Sequence, residues 1–199
     1  VSLKDREKGV AHWDDKLSLE FNGAHPAVAG LDIKRTDSAV TVYIAGDSTV
    51  TDQPNEPWSA WGAMLPRFFA QGVAVANHAE SGLSLASFKG GARLDKILST
   101  LKAGDYVFIQ FGHNDQKEKN GGAFTTYAAS LRDYVDAIVA KGGTPVLVTP
   151  MYRRRFKDGV LVETLGDYPE AVRRVAAEKK VPCIDLHVMS VRFFTALGA

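Results

Sequence analysis

Short apolar runs alternate with longer stretches that carry apolar residues at helical spacing from about residue 40 to the end of the chain. The runs predict buried strands, and the stretches between them predict amphipathic helices. Strands are predicted over residues 40–45, 73–76, 106–111, 145–148 and 181–186, helices over 58–70, 94–101, 124–140, 168–180 and 188–197, and a hairpin over 152–165. Strands that alternate with helices indicate a central parallel sheet with helices on both faces, a three-layer α/β/α fold.

The first 38 residues have a different pattern, without a convincing helical period. Residues 17–23 and 29–35 alternate between apolar and polar positions, which is typical of strands. We interpret residues 1–38 as the tail of a β-rich N-terminal module, or as an extension packed on the following domain. Residues 39–199 then form the main α/β domain.

Residues suited to acyl-transfer chemistry follow three successive predicted strands. Gly46-Asp47-Ser48-Thr49 comes after the first strand, Ser81-Gly82 after the second and Gly112-His113-Asn114-Asp115 after the third. Each motif alone also fits an ordinary turn. Together they would gather a serine hydroxyl, a close backbone N–H and an amide donor at the edge of a parallel sheet where ligands bind.

In these three blocks and their order the chain resembles SGNH (GDSL-type) hydrolases. The resemblance implies a flavodoxin-like α/β fold and a serine esterase in which Ser48 is the catalytic nucleophile. It also implies an oxyanion hole formed by the backbone N–H groups of Ser48 and Gly82 and the side-chain amide of Asn114. His113 becomes a neighbour of that hole, with a possible role in substrate binding.

In SGNH hydrolases the general base is a late histidine in an Asp-x-x-His motif. The five histidines of this chain all lack an aspartate three positions earlier: His12, His25, His78, His113 and His187. We therefore expect the domain over residues 39–199 to be incomplete at its C-terminus and these 199 residues alone to be a poor esterase. The alternative is a protein that never had the dyad.

Residues 149–156, 166–169 and 181–186 resemble the rhamnogalacturonan acetylesterase branch. That branch removes acetyl groups from pectic polysaccharide, so Arg153, Arg154 and Arg155 become candidates for binding galacturonate carboxylates. A solvated loop explains three consecutive arginines equally well. Two other functions stay open: a lysophospholipase or thioesterase on the same site, and a non-catalytic carbohydrate-binding protein.

The composition limits the classes of partner and cofactor that this protein is expected to bind. The 199 residues are 45% hydrophobic and 24% charged with a net charge of +1, so nothing argues for nucleic acid or a membrane as partner. No spacing indicates a metal site, and no nucleotide-binding or other cofactor motif occurs. The single cysteine, Cys183, is expected to be a small buried residue. The family resemblance implies a secreted or periplasmic protein, whereas the sequence leaves the oligomeric state undetermined.

Overall fold

A five-stranded parallel sheet forms the centre of the domain in this computed structural model, which describes residues 1–8, 19, 21, 23–34, 36, 38–53, 55 and 57–199. The sheet contains β1 (Val40–Gly46), β2 (Val73–Asn77), β3 (Tyr106–Gln110), β4 (Thr144–Val148) and β7 (Cys183–Ile184), in the order β2-β1-β3-β4-β7. Every neighbouring pair is parallel. This is the doubly wound, flavodoxin-like order, so the predicted fold class is confirmed.

Successive residues of a strand point to opposite faces of the sheet, so apolar strand residues lie on both faces. Helices cover these apolar faces. Tyr43 and Ala45 of β1 belong to the larger apolar core, while Ile44 between them packs on the other side with Val50 and Ala79. The helices are α1 (Trp61–Met64), α2 (Leu85–Gly90), α3 (Arg93–Thr100), α4 (Ala128–Ala140), α5 (Tyr168–Lys179) and α6 (Leu186–Leu197). The larger core is formed with residues of α2 to α5. The predicted 152–165 hairpin is present as β5 (Phe156–Lys157) and β6 (Val160–Leu161).

Two local expectations are corrected by the structure. The helix predicted over residues 58–70 is an α-helical turn, α1, followed by a 3₁₀ turn over Leu65–Phe68 that contains Pro66. Proline has no N–H to donate and clashes with the preceding turn, so a regular helix cannot run through it. Cys183 is exposed because its short strand lies at the edge of the sheet.

The N-terminal residues are only partly described. The stretch predicted as a strand over 29–35 forms no strand over residues 29–34, which are exposed, and residues 17–23 lie mostly outside the described part of the chain. Residues 1–8 include a 3₁₀ turn over Asp5–Glu7. The Ser2 N–H donates to the Gly91 carbonyl at 2.8 Å. This segment therefore packs on the α/β domain, while the boundary at residues 38 and 39 stays a prediction.

Candidate active site

The candidate site lies beside β1, where the order in which the chain adds strands to the sheet reverses. The chain leaves β1, forms β2 on one side, and returns to form β3 on the other side of β1. Loops after β1 and β3 thus diverge and leave a crevice at the carboxyl edge, where doubly wound proteins bind their ligands. Ser48 follows β1 and Asn114 follows β3, so the topology alone places the two predicted residues on either side of this crevice.

Ser48 lies in a tight turn rather than at a helix N-terminus. One carboxylate oxygen of Asp47 accepts hydrogen bonds from the Thr49 N–H at 2.9 Å and the Thr49 hydroxyl at 2.8 Å. Gly46 ends the strand where a Cβ would lie 2.5 Å from a methyl of Val50, so the turn requires glycine. The turn is thereby held rigidly, and Ser48 remains partly exposed at its tip.

Hydrogen bonds connect the Ser48 turn with the end of β3, the strand that leads into the Asn114 loop. The side-chain amide of Gln110, the last residue of β3, donates to the Thr49 hydroxyl, and its oxygen accepts from the Trp61 indole N–H at 2.8 Å. No motif predicted this link, although a glutamine at the end of an apolar strand is a recognisable signal, and the structure buries it. These contacts fix the relative position of the loops that carry Ser48 and Asn114.

The loop that carries Gly82 is connected to the Asn114 loop in the same way. Gly82 has φ of +76°, a conformation that favours glycine. The Asn114 side-chain NH₂ donates to the Leu83 carbonyl at 3.0 Å. The carboxylate of Asp115 accepts from the N–H groups of Leu85 and Gly112, both at 2.9 Å. The structure therefore brings the three predicted motif loops together, while the catalytic roles of their residues stay predictions.

Asp115 is a buried carboxyl with an unusual titration. Burial raises its pKa to about 6 from 3.8, and the nearby charge of Glu118 acts in the same direction. The hydrogen bonds from the Leu85 and Gly112 N–H groups oppose this shift without cancelling it. The proton is thus bound more tightly in the folded state than in the unfolded chain.

Asp115 should make the protein less stable as pH rises. A carboxyl with a raised folded-state pKa contributes stability that is fully present below its unfolded pKa and lost as pH rises through its folded pKa. We expect the free energy of unfolding of the wild type, relative to Asp115→Asn, to fall by up to about 3 kcal/mol between pH 4 and pH 7. Urea unfolding of both proteins across this range measures the difference. A difference that does not change with pH would contradict the assignment.

His113, in the loop after β3, is buried. Its Nε2 is 2.9 Å from the carbonyl oxygen of Met151, so this nitrogen carries the proton that it donates. Its Nδ1 is 3.4 Å from a carboxylate oxygen of Asp47. No hydrogen bond joins these two atoms, so the ring is held by its Nε2–H bond to the chain after β4. A direct contact of His113 with substrate stays a prediction.

The other described histidines differ in their surroundings. His78 is buried, and burial, followed by the charges of Lys96 and Arg93, lowers its pKa to about 4. His187 pairs with Glu163 at 3.1 Å, and His25 is exposed. Within the described part of the chain, no histidine ring is hydrogen-bonded to the Ser48 hydroxyl. His12 lies outside the described residues.

The three consecutive arginines do not form one cluster. Arg153 donates to the Thr164 hydroxyl at 3.0 Å, and Arg154 donates to the Gly198 carbonyl at 3.0 Å. Arg155 is exposed, and its carbonyl accepts from the N–H of Val162 on the hairpin. These contacts give Arg153 and Arg154 a role in holding loops. Galacturonate binding by any of the three stays a prediction.

Among the described residues, no helix is both long enough and apolar enough to cross a bilayer. No group of three or more histidine, cysteine, aspartate or glutamate side chains in the same residues is arranged to hold a metal ion.

Comparison with known proteins identifies relatives that span most of this chain. Rhamnogalacturonan acetylesterase RhgT of Bacillus subtilis is 41% identical over 80% of this chain and 70% of its own length. The probable rhamnogalacturonan acetylesterase YesY of the same organism is 36% identical over 79% of this chain and 75% of its own. The crystal structure of Bacillus subtilis protein YxiM superposes with a TM-score of 0.73 at 31% identity, over 80% of this chain. This chain spans only 47% of that structure.

The family assignment agrees with the geometry. The model of the GDSL-like lipase/acylhydrolase family matches residues 44–197, which include all three motif loops. On this match and the 41% identity to RhgT, the chain belongs to the GDSL-like lipase/acylhydrolase family, in its rhamnogalacturonan acetylesterase-like branch.

Proposed function

We propose that this protein is a carbohydrate O-acetyl esterase that removes acetyl groups from rhamnogalacturonan. The observation that carries the proposal is the position of Ser48 on a rigid turn at the switch point of the sheet, joined to the loops of Gly82 and Asn114. The similarity to RhgT supports the substrate class. Pectic polysaccharide lies outside the cell, so we also propose that the protein is secreted or periplasmic.

In the proposed reaction the Ser48 hydroxyl oxygen attacks the acetyl carbonyl carbon, and the carbonyl oxygen becomes an oxyanion. The N–H groups of Ser48 and Gly82 and the Asn114 amide stabilise that charge. The sugar oxygen then leaves with a proton as a free hydroxyl, and water releases acetate from the acetylated serine. The Asn114 NH₂ has two hydrogens, of which one is donated to Leu83, so the second is suited to the oxyanion.

Proton transfer from Ser48 requires a general base. The family resemblance gives this role to the histidine of a late Asp-x-x-His, and none of the five histidines in this sequence has that context. A protein that binds acetylated pectin without releasing acetate would instead be a carbohydrate-binding protein on the same scaffold.

Acetate release from acetylated rhamnogalacturonan tests the proposal. We expect release by the full-length protein and a kcat/KM for 4-nitrophenyl acetate at least about tenfold above that for the octanoate, because polar groups flank Ser48 and would gain nothing from a long acyl chain. Gln53, for example, donates to the Ser48 carbonyl at 2.8 Å. Hydrolysis of the octanoate without release from pectin would favour the lysophospholipase or thioesterase function.

A further inference from the structure

Lysine ammonium groups are bound to the amide oxygens behind two of the proposed oxyanion donors. Lys117 Nζ donates to Asn114 Oδ1 at 2.9 Å, and the Lys117 N–H donates to the Asn114 carbonyl, also at 2.9 Å. An ammonium can only donate and the Leu83 carbonyl can only accept, so the two partners together fix which end of the Asn114 amide faces each way. Lys117 therefore sets the direction of the Asn114 NH₂.

Lys4 contacts the peptide unit of Gly82 in a similar way. Its Nζ donates to the Ser81 carbonyl. That carbonyl belongs to the peptide unit whose N–H is contributed by Gly82. A Cβ placed on Gly82 would lie 3.2 Å from Lys4 Nζ, so the ammonium lies directly beside the loop. In a planar trans peptide the C=O and N–H point in opposite directions, so holding the oxygen also aims the N–H.

The position of Lys4 depends on the packing of residues 1–8 against the hydrolase domain. The Lys4 N–H donates to the Glu7 carboxylate at 2.8 Å, and that carboxylate forms a buried ion pair with Arg93. Arg93 also donates to the Ser2 carbonyl at 3.3 Å. A segment upstream of the hydrolase domain thus delivers a charge to the oxyanion-hole loop.

We propose that Lys4 and Lys117 are positioning residues that orient and polarise the Gly82 and Asn114 donors. A cation on an amide oxygen draws electron density from the nitrogen and makes its N–H a stronger donor, since linked hydrogen bonds strengthen one another. A stronger N–H donor stabilises the oxyanion most in the transition state, because that is where the negative charge develops. The lysines should therefore lower the energy of the transition state more than that of the bound substrate. The proposal rests on the proposed oxyanion roles of Gly82 and Asn114.

Kinetics of lysine variants of the full-length protein test this proposal. With neutral 4-nitrophenyl acetate, we expect Lys117→Met and Lys4→Met each to lower kcat about tenfold with KM changed less than about twofold. Arginine at either position should restore part of the rate. Lys4→Gln and Lys117→Gln keep an N–H donor without the charge and should stay slow. Lys119→Met and Lys8→Met are matched controls on the same two segments and should keep the wild-type kcat.

A double-mutant cycle separates this proposal from the function on which it rests. Asn114→Ala should lower kcat by about 10² to 10³, and adding Lys117→Met to it should cause little further loss. An unchanged kcat in Asn114→Ala would overturn the oxyanion assignment and the lysine proposal with it. If Asn114→Ala is slow but the lysine variants are not, or if Lys117→Met is fully additive with Asn114→Ala, only the lysine proposal is wrong. A rise in KM alone would make the lysines substrate-binding residues and also contradict it.

Discussion

Ser48→Ala should abolish ester hydrolysis by the full-length protein, with kcat lowered by at least about 10⁴-fold. The alanine side chain has no oxygen to attack the acetyl carbon, so no acetylated enzyme can form. The remaining oxyanion donors give only the residual rate of a site without a nucleophile. Within the described residues, Ser48 is hydrogen-bonded through its backbone carbonyl rather than its side chain, so the variant should fold normally.

Two readouts are needed for this variant. Acetate release from 4-nitrophenyl acetate and from acetylated rhamnogalacturonan should both disappear, while the midpoint of thermal unfolding should stay the same. Ser99→Ala is a matched control, because Ser99 is an exposed serine on α3 whose hydroxyl donates to the Lys96 carbonyl. Wild-type turnover by Ser48→Ala would place the nucleophile elsewhere and end the serine-esterase assignment for this site.

The strands of the sheet were predictable because each is an apolar run of ordinary strand length. β1 was predicted over residues 40–45 and is Val40–Gly46, and β4 was predicted over 145–148 and is Thr144–Val148. Strands of a sheet that is covered on both faces need apolar residues at nearly every position. The edge strand β7 is the exception, since an apolar run predicted six residues and only Cys183–Ile184 pair with β4.

Elements fixed by tertiary contacts were not predictable, whereas one error concerned a signal present in the sequence. Pro66 divides the expected 58–70 helix, and the apolar spacing on both sides of this proline favoured a continuous helix instead. The six-residue helix α2 is too short to show a period, and its start is fixed by the Ser84 cap and the Asp115 carboxylate. Helices of this length form in proteins because tertiary contacts hold them.

Some residues of the candidate site were predictable from the sequence, and others were not. Ser48, Gly82 and Asn114 were identified from local motifs, and the structure shows their loops joined. Lys4 was not identified, because it reaches the Ser81 carbonyl across 77 positions of sequence. Lys117 is only three positions from Asn114, yet its contact depends on the 3₁₀ turn over Asp115–Lys117. Local spacing therefore locates the reacting groups, whereas the residues that orient them depend on the folded loops.

Arg93→Met should be the most destabilising of the substitutions considered, lowering the free energy of unfolding by about 3 to 5 kcal/mol. Arg93 is 1% exposed and forms an ion pair with Glu7, whose side chain is 4% exposed. Methionine approximates the length of the arginine stem but leaves the Glu7 carboxylate buried without its cation. Urea unfolding at pH 7 measures the loss. A single variant within about 1 kcal/mol of wild type would show that the pair is solvated rather than buried.

Restoring charge balance should recover much of that stability. In Glu7→Gln/Arg93→Met both members of the ion pair are neutral, so the double variant should be clearly more stable than Arg93→Met alone. Its kcat should nevertheless remain at the level of Lys4→Met, and adding Lys4→Met should lower it no further. The reason is that Arg93 also donates to the Ser2 carbonyl, so without its guanidinium residues 1–8 lose this anchor and the Lys4 ammonium is withdrawn from Ser81. A wild-type kcat in the double variant would show that the packing of residues 1–8 does not affect catalysis.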